Sequence, residues 1–234
     1  MDDGLQATLR DLLQENAGSN VVLERLTADY AAYHLILVIV GGAFLLVIGV
    51  LSVLSWIGFA RARRRPHWST ERWIYLGFGL LGAAVTGFLL LILTANISTV
   101  LQPRAGFSGA IGLLGNPRPG SHADALQSAF VQWLTSREVD VPPLVQEAID
   151  QRLAWQFPKA VICVVLLCAL MVATVAVWRR VIQRSRIGIS RPIVTSALAC
   201  AGATLVVADL LLMLMVMGNV QASVVPMAMV IFYG

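Results

Sequence analysis

The sequence predicts an all-α integral membrane protein: four transmembrane helices in a bundle, an N-terminal amphipathic helix, and a helical extracytoplasmic cap between helices two and three. Three observations predict it. Hydrophobic residues make up 58% of the 234 and charged residues only 13%, with a mean hydropathy of +0.77, which is too apolar for an ordinary soluble domain. Four runs, Leu35–Ala60, Trp73–Leu101, Ala160–Trp178 and Ile193–Val220, are long enough for a hydrocarbon core that needs roughly 20 apolar residues. Finally, ten of the seventeen basic residues fall in two short segments, 61–72 and 179–191, and such basic loops stay on the cytoplasmic side.

Residues 1–34 hold six acids and two arginines, so the chain does not begin with the basic stretch of a signal peptide, and the 26-residue run at 35–60 exceeds a signal core. Within 1–34, Leu5, Leu9, Leu12 and Leu13 recur at helical spacing, with Arg10, Asp11 and Glu15 around the other face. This leucine stripe can lie on the membrane surface, dock on a partner, or pack against the chain's own outer segment. Gly18 supplies a stop, and Ser19 or Asn20 a cap for the next helix. From Val21 no breaker intervenes before span one, 35–60, so one helix is expected to run out of the membrane.

Segment 61–72 reads as a cytoplasmic basic loop. Arg61, Arg63, Arg64 and Arg65 set topology and can meet anionic headgroups. Pro66 breaks the helix, Ser69 or Thr70 caps the next, and Trp68 and Trp73 suit the membrane interface; His67 has no ligand-like neighbour. Span two is 73–101. Segment 102–159, with five residues of each charge sign, is the expected extracytoplasmic cap. Its start, Pro103 to Gly120, reads as a turn-rich loop, Ser121 followed by Asp124 makes a capping-box-like helix start, and Leu126, Phe130, Trp133 and Leu134 form an apolar stripe. A second helix with Leu144, Ala148, Ile149 and Leu153 leads past Pro158 into span three, 160–178. The basic loop 179–192, with Arg179 and Arg180, repeats the first; span four is 193–220, and 221–234 is either a bent continuation or an interfacial tail.

The spans carry small residues at four-residue spacing: Gly79, Ala83 and Gly87 in span two, and Ser196, Cys200, Thr204 and Ala208 in span four. In lipid, apolar bulk gives no preference for a helix partner over acyl chains, whereas small side chains let backbones approach closely. These residues are therefore expected to line helix-packing faces. Cys163, Cys168 and Cys200 all fall inside spans and imply no disulfide framework.

Asp209 is the acid in the otherwise apolar stretch Leu205–Gly218, an expensive placement that often marks function. Counting 1.5 Å per residue from the cytoplasmic helix ends puts it at the depth of Lys159, the lone lysine of the chain. The expectation is an ion pair between Asp209 and Lys159, with Arg104 or His34 as alternative partners.

No HExxH, GxSxG or Gly-Lys-Ser/Thr motif occurs, and His34, His67 and His122 are scattered. The sequence thus predicts no enzyme activity, no cofactor, no metal site and no nucleic-acid partner. The acidic start "MDDGLQATLRDLLQEN", the loop "RARRRPHWSTERW", the cap ending "LAWQFPK" and an excess of arginine over lysine resemble, in layout over the whole chain, actinobacterial four-span membrane proteins of the LucB type. That resemblance implies a plasma-membrane accessory subunit of an Mce-type ABC lipid importer, contacting the permease and Mce proteins within the lipid bilayer, with both termini extracytoplasmic. No site residue carries over. Two alternatives stand beside it: an accessory subunit of a respiratory or cell-wall complex, and a self-contained small transporter or sensor using Asp209.

Overall fold

The structure, a computed structural model, describes residues 4–15, 20–64, 69–187 and 192–233. Among these there are eight helices and no strand: α1 (Leu5–Gln14), α2 (Val21–Ala62), α3 (Thr70–Leu101), α4 (Pro103–Ile111), α5 (His122–Ser136), α6 (Pro143–Ile187), α7 (Pro192–Val224) and α8 (Pro226–Tyr233). Helices α2, α3, α6 and α7 are long and apolar enough to cross a membrane, which makes the chain a multi-pass membrane protein. The expected span 35–60 is the later part of α2, whose 42 residues form one helix as the absence of a breaker after Val21 predicted.

The helix ends follow from local chemistry. Asn20 caps α2: its Oδ1 accepts from the backbone N–H of Val22 and of Leu23, each at 3.1 Å, satisfying two of the donors that a helix start leaves open. Ser69 Oγ accepts from the Arg72 N–H at 3.4 Å, one donor at the start of α3. Ser121 accepts from the Asp124 N–H at 3.2 Å, the helix start read from sequence, while Asp124 Oδ2 accepts from the Gly120 N–H at 2.8 Å, one residue ahead of the N–H a capping box would use. Helix α5 ends on Arg137, a non-glycine residue at φ 56°. Pro66, His67, Trp68, Arg65, Gly18 and Ser19 lie outside the described residues.

Two expectations change. The stretch read as a turn-rich loop contains α4, which opens with Pro103 at its first turn, where proline's missing N–H costs nothing. Segment 179–192 is not all loop, because α6 continues to Ile187. Within 221–234, residues 221–224 extend α7 and α8 follows from Pro226, in keeping with a bent continuation.

Two compact units divide the chain. The first comprises Met1–Ile39, Thr94–Ala160 and Gly218–Gly234. Its core joins Leu5 and Leu9 of α1, Val22 and Leu26 of α2, Phe107 and Ile111 of α4, Phe130 and Trp133 of α5, Val145 and Ile149 of α6, and Val230 and Ile231 of α8. The leucine stripe of α1 therefore packs against α4 and α5, the third of the options its spacing left open. Polar bonds fasten the same core: Gln6 Nε2 donates to Ile111 O at 3.1 Å, Asn20 Nδ2 to Leu134 O at 3.0 Å, and Trp133 Nε1 to Glu138 O at 2.9 Å. Asp29, ahead of the apolar run that begins at Leu35, is half-buried; loss of water pushes its carboxyl above the usual range and Arg25 pulls it partly back.

The second unit, Val40–Leu93 and Val161–Met217, is built from the apolar stretches of α2, α3, α6 and α7. Close approach at glycine organises it. A Cβ on Gly82 would stand 2.8 Å from that of Ser52, one on Gly58 2.8 Å from the Tyr75 ring, and one on Gly202 2.8 Å from the Trp178 indole. Trp178 is braced in turn by Phe78, edge to face at 4.9 Å.

Candidate functional site

Asp209 is the acid of α7 and lies in the second unit. Thr174 on α6 donates its hydroxyl to Asp209 Oδ2 at 2.6 Å, a short hydrogen bond. Oδ1 of the same carboxylate is buried and has no hydrogen-bond partner. Lys159 stands elsewhere in its contacts: its Nζ lies 4.0 Å over the Trp155 ring, a cation–π contact, beside the exposed Trp155 and Phe157. Each residue of the expected pair thus has a partner of its own within its own unit.

Helix α6 continues past Trp178 to Ile187, and Trp178 packs at Gly202 of α7. The alternative partner His34 bonds Asn96 through Nδ1, and nearby Gln221 Nε2 donates to Tyr33 O at 2.9 Å; these polar groups belong to the first unit.

The two strips of small residues divide. Gly79 is buried, and a Cβ there would meet the Trp56 ring at 3.0 Å. Ala83 and Gly87 are exposed, and a Cβ on Gly87 would meet nothing within 4 Å. In α7, Ser196, Cys200 and Thr204 are exposed and Ala208 half-buried, while the close approach is made by Gly202. A spacing of four residues turns about 40° around a helix at each step, so such a strip drifts off the contact; α3 instead buries Gly79, Leu89 and Leu93, with Gly82 against α2. Cys163 is buried, Cys168 and Cys200 are exposed, and all three are free thiols.

Among the basic-loop residues, Arg61, Arg63 and Arg64 are exposed, as are Arg179 and Arg180. Arg72, which sequence reading counted only as one more loop charge, is buried, and its Nη2 donates to Ala62 O at 3.3 Å and Arg63 O at 2.8 Å. It thereby satisfies carbonyls that the end of α2 leaves open. The one available signal was its place, ten residues beyond that helix end. No group of His, Cys, Asp and Glu among the described residues could hold a metal ion. No family model, curated protein or solved structure matches this chain.

Proposed function

We propose that the protein is a non-catalytic accessory or regulatory subunit of a larger envelope membrane complex, with an Mce-type ABC lipid importer as the assembly of first choice. The observation that carries this reading is the outward placement of small residues. Ala83, Gly87, Ser196, Cys200 and Thr204 are presented to the surroundings of the helices rather than used between them. Surfaces of this kind admit a second helix at close range, and in lipid that packing replaces the hydrophobic drive available in water. The layout resemblance supports the importer as the assembly. The basic segments support a plasma-membrane orientation with 61–72 and 179–192 cytoplasmic and both termini outside.

The experiment is a mild-detergent pull-down of the tagged full chain, with mass spectrometry of everything retained, run on wild type and on Gly87→Leu and Thr204→Leu. Stoichiometric recovery of permease, ATPase and Mce proteins, reduced in the variants, is expected. Recovery of subunits of a respiratory or cell-wall assembly replaces the importer; recovery of the well-folded chain alone overturns the accessory reading.

A further inference from the structure

A cavity of about 190 Å³ opens at the surface of the second unit, with walls from α2, α3, α6 and α7 that include the exposed Leu51 and Val175. An apolar cavity of roughly 150 Å³ already admits a benzene molecule in another protein. The walls are apolar side chains such as Phe44, Ile48, Leu167 and Met213, with hydroxyls at Ser52, Ser55 and Thr174 and the carboxylate of Asp209. Each hydroxyl hydrogen is already placed: Ser52 donates to Gly79 O at 3.2 Å, Ser55 to Leu51 O at 2.8 Å, and Thr174 to Asp209 Oδ2. Of the cavity's side chains, only Asp209 has a buried polar atom without a hydrogen-bond partner, Oδ1.

We propose that this cavity binds an elongated apolar molecule carrying a hydrogen-bond donor at one end, of the long-chain alcohol or amine class, with Asp209 Oδ1 as acceptor. In its ionised form Asp209 offers acceptor lone pairs only, and the proposal takes that form, in which the ligand's head must donate. An unpaired buried acceptor is costly, and a donor arriving from the ligand removes that cost. The apolar walls set the rest of the molecule and exclude a water-soluble one. Access is from the bilayer side: Phe78, Leu81 and Val206 belong both to the cavity wall and to a wider groove of about 740 Å³ bounded by α3, α6 and α7. Thr174 acts as a positioning residue, holding Oδ2 and leaving Oδ1 for the ligand. The inference is independent of any partner complex.

The test uses the full chain in lipid nanodiscs with a photoreactive dodecanol, cross-linked sites being mapped by mass spectrometry. Labelling is expected on the wall residues of α2, α3, α6 and α7, and dodecanol or dodecylamine should displace it at least ten times more effectively than dodecyl methyl ether or dodecane. Displacement by the alcohol assigns a hydroxyl head, and by the amine alone a cationic one. Asp209→Leu should lower labelling at least tenfold. Should that variant not fold, Val85→Phe, which fills the cavity and keeps the carboxylate, should abolish labelling in a folded chain. Equal displacement by ether and alkane, or labelling that survives in folded Asp209→Leu or Val85→Phe, overturns the proposal. Since the readout is made on the isolated chain, its failure leaves the accessory-subunit reading in place.

Discussion

Replacing Gly82 by alanine adds one methyl group at a close approach of α2 and α3. The new Cβ would stand 2.8 Å from Ser52 Cβ, 3.0 Å from its Oγ and 3.2 Å from its Cα. Cα and Cβ move only with the backbone, so no rotamer change of Ser52 relieves the clash and the two helices must part. Overpacking of this kind costs about 1–3 kcal/mol. The Ser52 hydroxyl bond to Gly79 O, 3.2 Å long, is strained in the same movement and contributes about 0.5–1.5 kcal/mol. Alanine's better helix propensity offsets about 0.5–1 kcal/mol. The net expectation is a destabilisation of about 1–3 kcal/mol. The control is Gly49→Ala, where a Cβ meets nothing within 4 Å; it should be neutral or stabilising by up to about 1 kcal/mol. Both are measured by reversible unfolding of the purified chain in mixed micelles against rising denaturing detergent. If Gly82→Ala proves as stable as wild type while Gly49→Ala behaves as expected, close approach at Gly82 does not hold α2 to α3.

Asn20→Ala removes both the cap of α2 and the bond to Leu134 O; a loss of about 2–3 kcal/mol is expected in thermal unfolding, with Asn20→Asp recovering the cap part alone. Arg72→Ala strips two carbonyls at the end of α2 of their donor and should cost about 2–3 kcal/mol, seen as faster backbone hydrogen exchange over 59–63. Arg137→Gly relieves the left-handed backbone at φ 56° and should stabilise the first unit by about 0.5–1 kcal/mol. Burial raises the Asp29 carboxyl, so the folded chain takes up a proton more readily there than the unfolded one. The cost of keeping Asp29 ionised is therefore present at neutral pH and disappears as pH falls through the raised value. Asp29→Asn should raise Tm at pH 7, with the gap to wild type closing on acidification; a gap that widens instead contradicts this sign.

Hydropathy made the four spans legible because a lipid-crossing helix must be apolar over its whole crossing. That same uniformity hid their faces. In a soluble helix the polar side announces the buried side, but around Ile74 to Leu93 apolar residues occur on every side, and the contact is decided by which glycine admits a neighbour. Gly82 and Gly202 do so, and neither belongs to a four-residue strip. Asp209 stood out in sequence, yet its partner did not, since Thr174 is one ordinary hydroxyl in a long apolar helix. Helix α4 was missed because Pro103, Gly106 and Gly109 signal turns locally, while burial of Phe107 and Ile111 in the first unit overrides that preference. Asn20 was legible as a cap, but its second bond, to a carbonyl 114 residues away, has no local signature.

The core of the first unit is assembled from pieces made at very different moments. Leu5 and Leu9 leave the ribosome more than two hundred residues before Val230 and Ile231. At roughly 5–20 residues per second the interval is about 10–45 s. Throughout it, the leucine stripe of α1 is without the side chains of α8 that complete its cluster. Biogenesis must therefore shelter that stripe, in lipid or on a chaperone, while all four spans are being inserted. A chain arrested before residue 226 would present an unfinished core, a mark that membrane quality control can read as a sign of incomplete synthesis.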